Sequence, residues 1–225
     1  MRRLLVAVVL CATLNGCLTP AQSLALALVP DGTFTTLLAN LKGVEDSNRC
    51  RLAELAARSD WAGIVRFAEQ NLAVDPHNDA WWFVLGYAHA QLQQYAQASE
   101  AFAEAVRLSP DEIDAWHMLA LSYRAQGLHE RATRTLEQAL MVSRENPLTH
   151  FLLGQSYEIL QRPERALAHY QQAVRGDARS AEAWYALGRL YLQLGRHADY
   201  DQVVSALQTV DARAAEQLAA LSRPQ

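Results

Sequence analysis

The sequence predicts an all-α solenoid, and three observations lead there. Alanine and leucine dominate a chain that is 51% hydrophobic, with only ten glycines and seven prolines in 225 residues. That composition favours helices over a turn-rich β fold and over disorder. One phrase then recurs, as "WWFVLGYAHAQLQQ", "AWHMLALSYRAQGL", "THFLLGQSYEILQR" and "AWYALGRLYLQLGR". The small residue inside it returns as Gly86, Ala120, Gly154 and Gly188, each 34 residues after the last without insertion or deletion. A fixed period of this length marks stacked units, each too small to bury its apolar face alone.

The chain opens with "MRRLLVAVVLCATLNGC": two arginines, an apolar run from Leu4 to Leu14, then small and polar residues before Cys17. This is the layout of a bacterial secretory leader. The run is too short to cross a bilayer as a helix, which takes roughly 20 residues. Leu14-Asn15-Gly16-Cys17 resembles the lipobox of bacterial lipoproteins. The resemblance implies a signal peptide of residues 1–16, removed before Cys17, and palmitate or similar acyl chains on that cysteine. Two or three such chains hold a protein to a membrane stably. It further implies the periplasmic face of the outer membrane, because Leu18 is not the aspartate that marks inner-membrane retention. The alternative is ordinary cleavage near Ala21 to Ser23, releasing a soluble periplasmic protein.

Of the three cysteines, Cys11 would leave with the leader and Cys17 would be a thioether, so Cys50 alone stays a thiol and no intrachain disulfide forms. Cys50 reads as a small buried apolar residue, with an intermolecular bridge as the other reading. Residues 17–44 then comprise the lipidated cysteine, a tether and a short helix from about Thr33 to Leu41, stopped at Gly43.

Further slots keep the 34-residue phase. Leu85, Leu119, Leu153 and Leu187 precede the small residue; His89, Tyr123, Tyr157 and Tyr191 follow it by three; Trp82, Trp116, His150 and Trp184 lie four before it. Ala98, Ala132 and Ala166 share one phase, Phe102, Leu136, Tyr170 and Val204 a second, and Ala105, Ala139 and Ala173 a third. This pattern resembles the tetratricopeptide repeat. The resemblance implies units of two antiparallel helices stacked as a superhelix: four full repeats at 79–112, 113–146, 147–180 and 181–214. A degenerate repeat precedes them at 45–78, ending in "DWAGIVRFAEQNLAVDP" but lacking the tryptophan and Leu-Gly of its siblings.

In that arrangement the small residue lets the second helix of a pair approach closely at its alanines. Turns are expected at Gln93-Gln94, Gln126-Gly127, Arg162-Pro163 and Leu194-Gly195, and helix starts at Asp60 and Asp111. Tyr200 and Leu207 replace alanines in the last repeat, so it faces a different neighbour. Residues 211–225, opening on Asp211 with Ala214, Ala215, Leu218 and Ala219 on one face, read as a C-terminal capping helix.

The seven histidines are scattered, and no ligand spacing, paired cysteines, phosphate loop or nucleophile elbow appears. The chain is read as a non-enzyme with no cofactor and no metal. A formal charge of −4 with Lys42 the single lysine disfavours nucleic acid.

The family resemblance implies that partners lie along the inner face of each first helix. Carried over by position, that groove comprises Phe83, Tyr87 and Gln91; Asp114, His117, Leu121 and Arg124; Phe151, Gln155 and Glu158; and Glu182, Tyr185, Arg189 and Gln193. Rigid aromatics there favour an extended or helical peptide. The alternative is that some of these rings pack against neighbouring helices or the N-terminal segment. Arg124 and Arg189 either meet an acid of the partner or are neutralised by Glu158 and Glu182. The lysine and asparagine clamp of the chaperone-binding branch is absent.

The sequence therefore reads as a lipid-anchored periplasmic scaffold that binds a protein or peptide partner at the outer membrane. Two narrower readings stand beside it: a pilotin-like assembly factor for a type IV pilus, secretin or exopolysaccharide exporter, and an adaptor for cell-wall hydrolases or proteases. Partner identity and oligomeric state are not encoded in any motif.

Overall fold

A computed structural model describes residues 43–222 of the chain. The expected signal peptide, Cys17 and the expected helix at 33–41 lie outside these residues. Among the described residues there are eleven helices and no strand: α1 (Asp46–Ala57), α2 (Trp61–Val74), α3 (Asp79–Gln91), α4 (Tyr95–Leu108), α5 (Ile113–Ala125), α6 (His129–Val142), α7 (Pro147–Ile159), α8 (Pro163–Gly176), α9 (Ala181–Gln193), α10 (His197–Val210) and α11 (Ala212–Ala220).

The sequence period is carried by the helices. α3, α5, α7 and α9 start at residues 79, 113, 147 and 181, and α2, α4, α6, α8 and α10 at 61, 95, 129, 163 and 197. The turn inside each unit is also periodic. Ser59, Gln93, Gly127, Gln161 and Gly195 all have positive φ, between 55° and 76°. Glycine takes that backbone without cost, whereas the other three residues bear left-handed strain. The first helices are capped by side chains: Asn78 accepts from the Trp81 N–H, Asn146 from Thr149 and Ser180 from Ala183. Asp60 caps α2 by accepting from the Gly63 N–H at 2.8 Å. Asp111 does not start a helix; it sits in the preceding turn, and α5 begins at Ile113.

Each first helix is also tied to the loop before it. Trp82, Trp116 and Trp184 donate their indole N–H to the carbonyls of Pro76, Pro110 and Ala178, at 2.8–2.9 Å. The donor and acceptor are six residues apart in every case. At the fourth slot His150 Nε2 takes over the role, 3.1 Å from the Arg144 carbonyl.

The described residues divide into two compact units, one up to residue 122 and one from 123 on, with the division falling inside α5. In the first, α3 packs between α2 and α4. Phe67 meets Trp81 edge-on with ring centroids 5.5 Å apart, and Phe83 meets Phe102 at 5.4 Å. Cys50 on α1 is half-buried rather than a core residue.

In the second unit α7 packs on α8, α8 on α9, and α9 on both α10 and α11. The role of the small residue differs here from the sequence expectation. A Cβ added to Gly154 would stand 2.4 Å from the Tyr170 ring, not against an alanine of α8. Glycine thus makes room for a fully buried ring. At Gly188 no ring fills the notch: the obstacle is Leu218 of α11 at 2.5 Å, with Val203 at 3.0 Å. Tyr200 donates its hydroxyl to the Leu218 carbonyl at 2.8 Å. Leu207, Ala215 and Leu218 are all fully buried, so the residues that depart from the repeat pattern in α10 are those that seat the terminal helix. Asp211 caps that helix by accepting from the Ala214 N–H at 3.0 Å.

Candidate functional site

The second unit contains an open cleft of about 900 Å³. Its walls come from the end of α5 (Arg124), from α7 (Phe151, Gln155, Glu158, Ile159), from α9 (Ala181, Glu182, Tyr185, Ala186, Arg189, Gln193) and from α11 with its N-cap (Asp211, Ala214, Gln217), and the buried Tyr170 of α8 lies behind them. Helical spacing explains the walls. On α7, residues 151, 155, 158 and 159 recur at steps of three and four and form one stripe; on α9, residues 182, 185, 189 and 193 do the same. The opposite stripe of α9, with Ala183, Leu187 and Leu190, is buried.

Six of the residues expected in the groove come together here: Arg124, Phe151, Gln155, Glu158, Tyr185 and Arg189. Glu182 and Gln193 line the same space. Phe151, Tyr185, Gln155 and both arginines are half-buried, so each presents part of its surface.

The expected residues of the first unit divide differently. Phe83 and Tyr87 are only 5% and 7% exposed and are core residues, correcting their assignment to a binding face. Phe83 packs on Phe102, and Tyr87 lies 6.0 Å from the Trp61 ring. Phe83 thus faces a ring of α4 and Tyr87 a ring of α2, whereas the corresponding stripe of α9 stays open although α8 packs on α9 in the same way. His117 is likewise buried, at 4% exposure, with Asp114 3.9 Å away. Burial holds its pKa below the ordinary histidine value despite that carboxylate. Leu121 is half-buried and Gln91 exposed.

The electrostatics of the cleft form two rungs. Arg189 Nη2 donates to both oxygens of Glu158, at 2.8 Å each. The hydroxyl of Tyr170 donates to Glu158 Oε2 at 2.5 Å. The Glu158 side chain is only 16% exposed, and its burial is offset by these charge-assisted bonds. Burial and the neighbouring carboxylate push the Tyr170 phenol well above its ordinary range, so it remains a donor. The neutralisation expected for Arg189 is therefore supplied by Glu158. The second rung is built from Arg124, whose Nη1 donates to Gln155 Oε1 at 2.7 Å. Both rungs join residues 31 apart in sequence.

Sequence reasoning missed Tyr170, Ile159 and the α11 wall. The wall was signalled: Asp211, Ala214 and Gln217 recur every three residues on a stripe of α11 that adjoins buried Ala215 and Leu218. Among the described residues no group of three or more histidine, cysteine or acidic side chains has the geometry to hold a metal. Among them also, no helix is long and apolar enough to cross a membrane.

Away from the cleft, the rings three residues past the small position link neighbouring units. Tyr157 donates to Glu137 at 2.5 Å, and the Tyr191 hydroxyl accepts from Gln171 Nε2 at 2.8 Å. Arg165 and Arg196 lie over the faces of Tyr157 and Tyr191, 5.5 and 4.9 Å from the centroids. His169 stacks on Tyr157 with 9° between planes, and its Nδ1 lies 3.0 Å from Nδ1 of His150. Because a carbonyl only accepts, His150 must carry its proton on Nε2. In the neutral ring Nδ1 is then an acceptor, and His169 donates to it.

Family models described as tetratricopeptide repeat match residues 78–122, 117–181 and 151–199. Together they run unbroken from 78 to 199, more than half of the chain. A TPR repeat-containing protein of Methanocaldococcus jannaschii, MJ1428, is 28% identical over 89 residues; the match spans 37% of this chain and only 16% of that relative. Among solved structures, MamA (residues 41 to the end) from Desulfovibrio magneticus RS-1 superimposes with a TM-score of 0.65 at 17% identity, over 73% of this chain and 93% of that one. YrrB, described as a TPR protein with an unusual peptide-binding site, gives 0.59 at 17% identity, over 74% and 87% of the two chains. At these identities the structural likeness shows the fold.

Proposed function

The chain belongs to the tetratricopeptide-repeat family, and we propose from that premise that it is a lipid-anchored, non-catalytic scaffold holding a partner polypeptide at the outer membrane. The observation that carries the reading is the cleft. Two half-buried aromatic rings, Phe151 and Tyr185, share one concave space with a fixed polar network. Rigid aromatics beside a few oriented polar groups are the usual make-up of a peptide-binding surface. YrrB, similar in fold, is described as having a peptide-binding site.

The anchor is supported by the sequence: Arg2, Arg3, the apolar run to Leu14, and Leu14-Asn15-Gly16-Cys17. Acylation of Cys17 would fasten the chain stably to a membrane, and Leu18 favours the outer one. Metabolic palmitate labelling tests this part: label on the wild type and none on Cys17→Ser is the expected result, and an unlabelled wild type removes the anchor. The cleft is tested by partner pull-down with a Phe151→Ala/Tyr185→Ala variant. Capture should fall sharply; undiminished capture places the partner elsewhere. Loss of secretin multimers in a deletion strain is the outcome the pilotin-like version requires. Intact multimers with altered cell-wall hydrolase or protease activity is that of the adaptor version.

A further inference from the structure

The two cations of the cleft are not in the same state. Arg189 is matched by Glu158, which also accepts from the Tyr170 hydroxyl, so that carboxylate is already engaged by an internal cation and a phenol. Arg124 has a neutral partner, the Gln155 carbonyl oxygen. Among the described residues no carboxylate lies within 4.0 Å of Arg124. A guanidinium has five N–H donors, and one amide oxygen leaves most of them unspent. Because Gln155 accepts through Oε1, its amide nitrogen remains a second donor beside the guanidinium. The other acids lining the cleft, Glu182 and Asp211, come from α9 and α11 and do not pair with Arg124.

From this charge pattern we infer that the polypeptide segment bound in the cleft carries an aspartate or glutamate that meets Arg124 and Gln155, next to a bulky apolar side chain that packs on Phe151 and Tyr185. The inference rests on the cleft being the docking site. An incoming carboxylate supplies at Arg124 what Glu158 supplies at Arg189 from within the chain, a charge-assisted fork rather than a single neutral bond. Elsewhere along the cleft an acid faces Glu182 or Asp211 and is disfavoured, which fixes where along the cleft the segment's acid sits.

The test is to pan a random-peptide display library on the full chain, synthesise the enriched peptides and measure their binding by fluorescence anisotropy. The expected peptides share one acidic and one bulky apolar residue. Changing that acid to its amide should weaken binding to the wild type by about tenfold, the size of one lost charge-assisted contact. The same change should be nearly silent on Arg124→Gln. Arg124→Glu should instead prefer the peptide with lysine at that place. Enriched peptides without a shared acid, or amide peptides that bind the wild type as well as the acid ones, overturn the inference. If Tyr185→Ala abolishes binding while Arg124→Gln does not, the cleft stands and the acid requirement falls. Indifference to both substitutions, or no enrichment at all, refutes the docking reading together with it.

Discussion

Gly154→Ala probes the packing rule on which the helix pairs rest. The added Cβ would stand 2.4 and 2.5 Å from two ring carbons of Tyr170, where carbon atoms normally approach to about 3.5–4 Å. The ring must therefore retreat by about 1 Å. It has no free space to retreat into, because Tyr170 is fully buried and its hydroxyl is bonded to Glu158. Overpacking of this kind costs about 1–3 kcal/mol, and a strained or lost hydroxyl bond adds about 1 kcal/mol. Replacing a helical glycine by alanine returns about 1 kcal/mol. The net expectation is a destabilisation of about 2 kcal/mol, or roughly 4–8 °C in Tm for a chain of this size. Urea and thermal melts followed by circular dichroism measure it.

A second variant sharpens the test. The repeat at 113–146 carries Ala120 and Leu136 in the two slots that hold Gly154 and Tyr170, so the sequence already contains the compensated pair. Gly154→Ala/Tyr170→Leu should be less destabilised than the sum of the single changes by at least about 1 kcal/mol. A Gly154→Ala protein as stable as the wild type, or strictly additive effects, would refute the proposed need for room at this position.

Other outcomes follow from the same contacts. Gln93→Gly and Gln161→Gly relieve left-handed strain at φ 61° and 55° and should each raise stability by about 0.5–1 kcal/mol in denaturant melts. Trp184→Phe keeps the ring but loses the N–H bond to Ala178, and should cost about 1–2 kcal/mol by the same assay. His169 is pushed down from 6.5 to about 4 by burial first, then by His150 and Arg165, against the opposing pull of Glu137. The unfolded chain therefore binds the proton more tightly than the folded one. Stability is complete above about pH 6.5 and is lost as the pH falls towards 4. Discounted for partial exposure, the loss is about 1–2 kcal/mol, and His169→Gln should flatten that part of the pH–stability curve.

Much of this fold is legible in the sequence because the repeat states each constraint several times. A glycine at residue 154 alone would be ambiguous in a helix; with Gly86 and Gly188 in phase it becomes a packing requirement. The identity of what fills the notch was harder to read. Alanines in phase on the second helix suggested a close backbone approach, whereas the structure places the ring of Tyr170, or Leu218 of the terminal helix, against the glycine.

The site was legible in part for the same reason. Repeat position places residues on one face of the first helix but does not say what covers that face. The sequence of α3, "DAWWFVLGYAHAQ", held the clue: apolar residues run nearly all round it, as in a helix buried on several sides. α9, "AEAWYALGRLYLQ", keeps a polar stripe of Glu182, Arg189 and Gln193, and its stripe is open. The pairing of Glu158 with Arg189 rather than Arg124 follows from which repeat supplies the acid, and spacing alone did not order the two arginines.

The most direct test is a photo-crosslinking amino acid placed at Tyr185 inside the cleft, and in parallel at Ala168, exposed on α8 outside it, in cells that make the full chain. A discrete protein adduct from residue 185, reduced by Arg124→Glu and absent from residue 168, is the predicted result. Equal adducts from both positions, or an adduct from residue 168 alone, would contradict the assignment of the cleft as the surface that holds the partner.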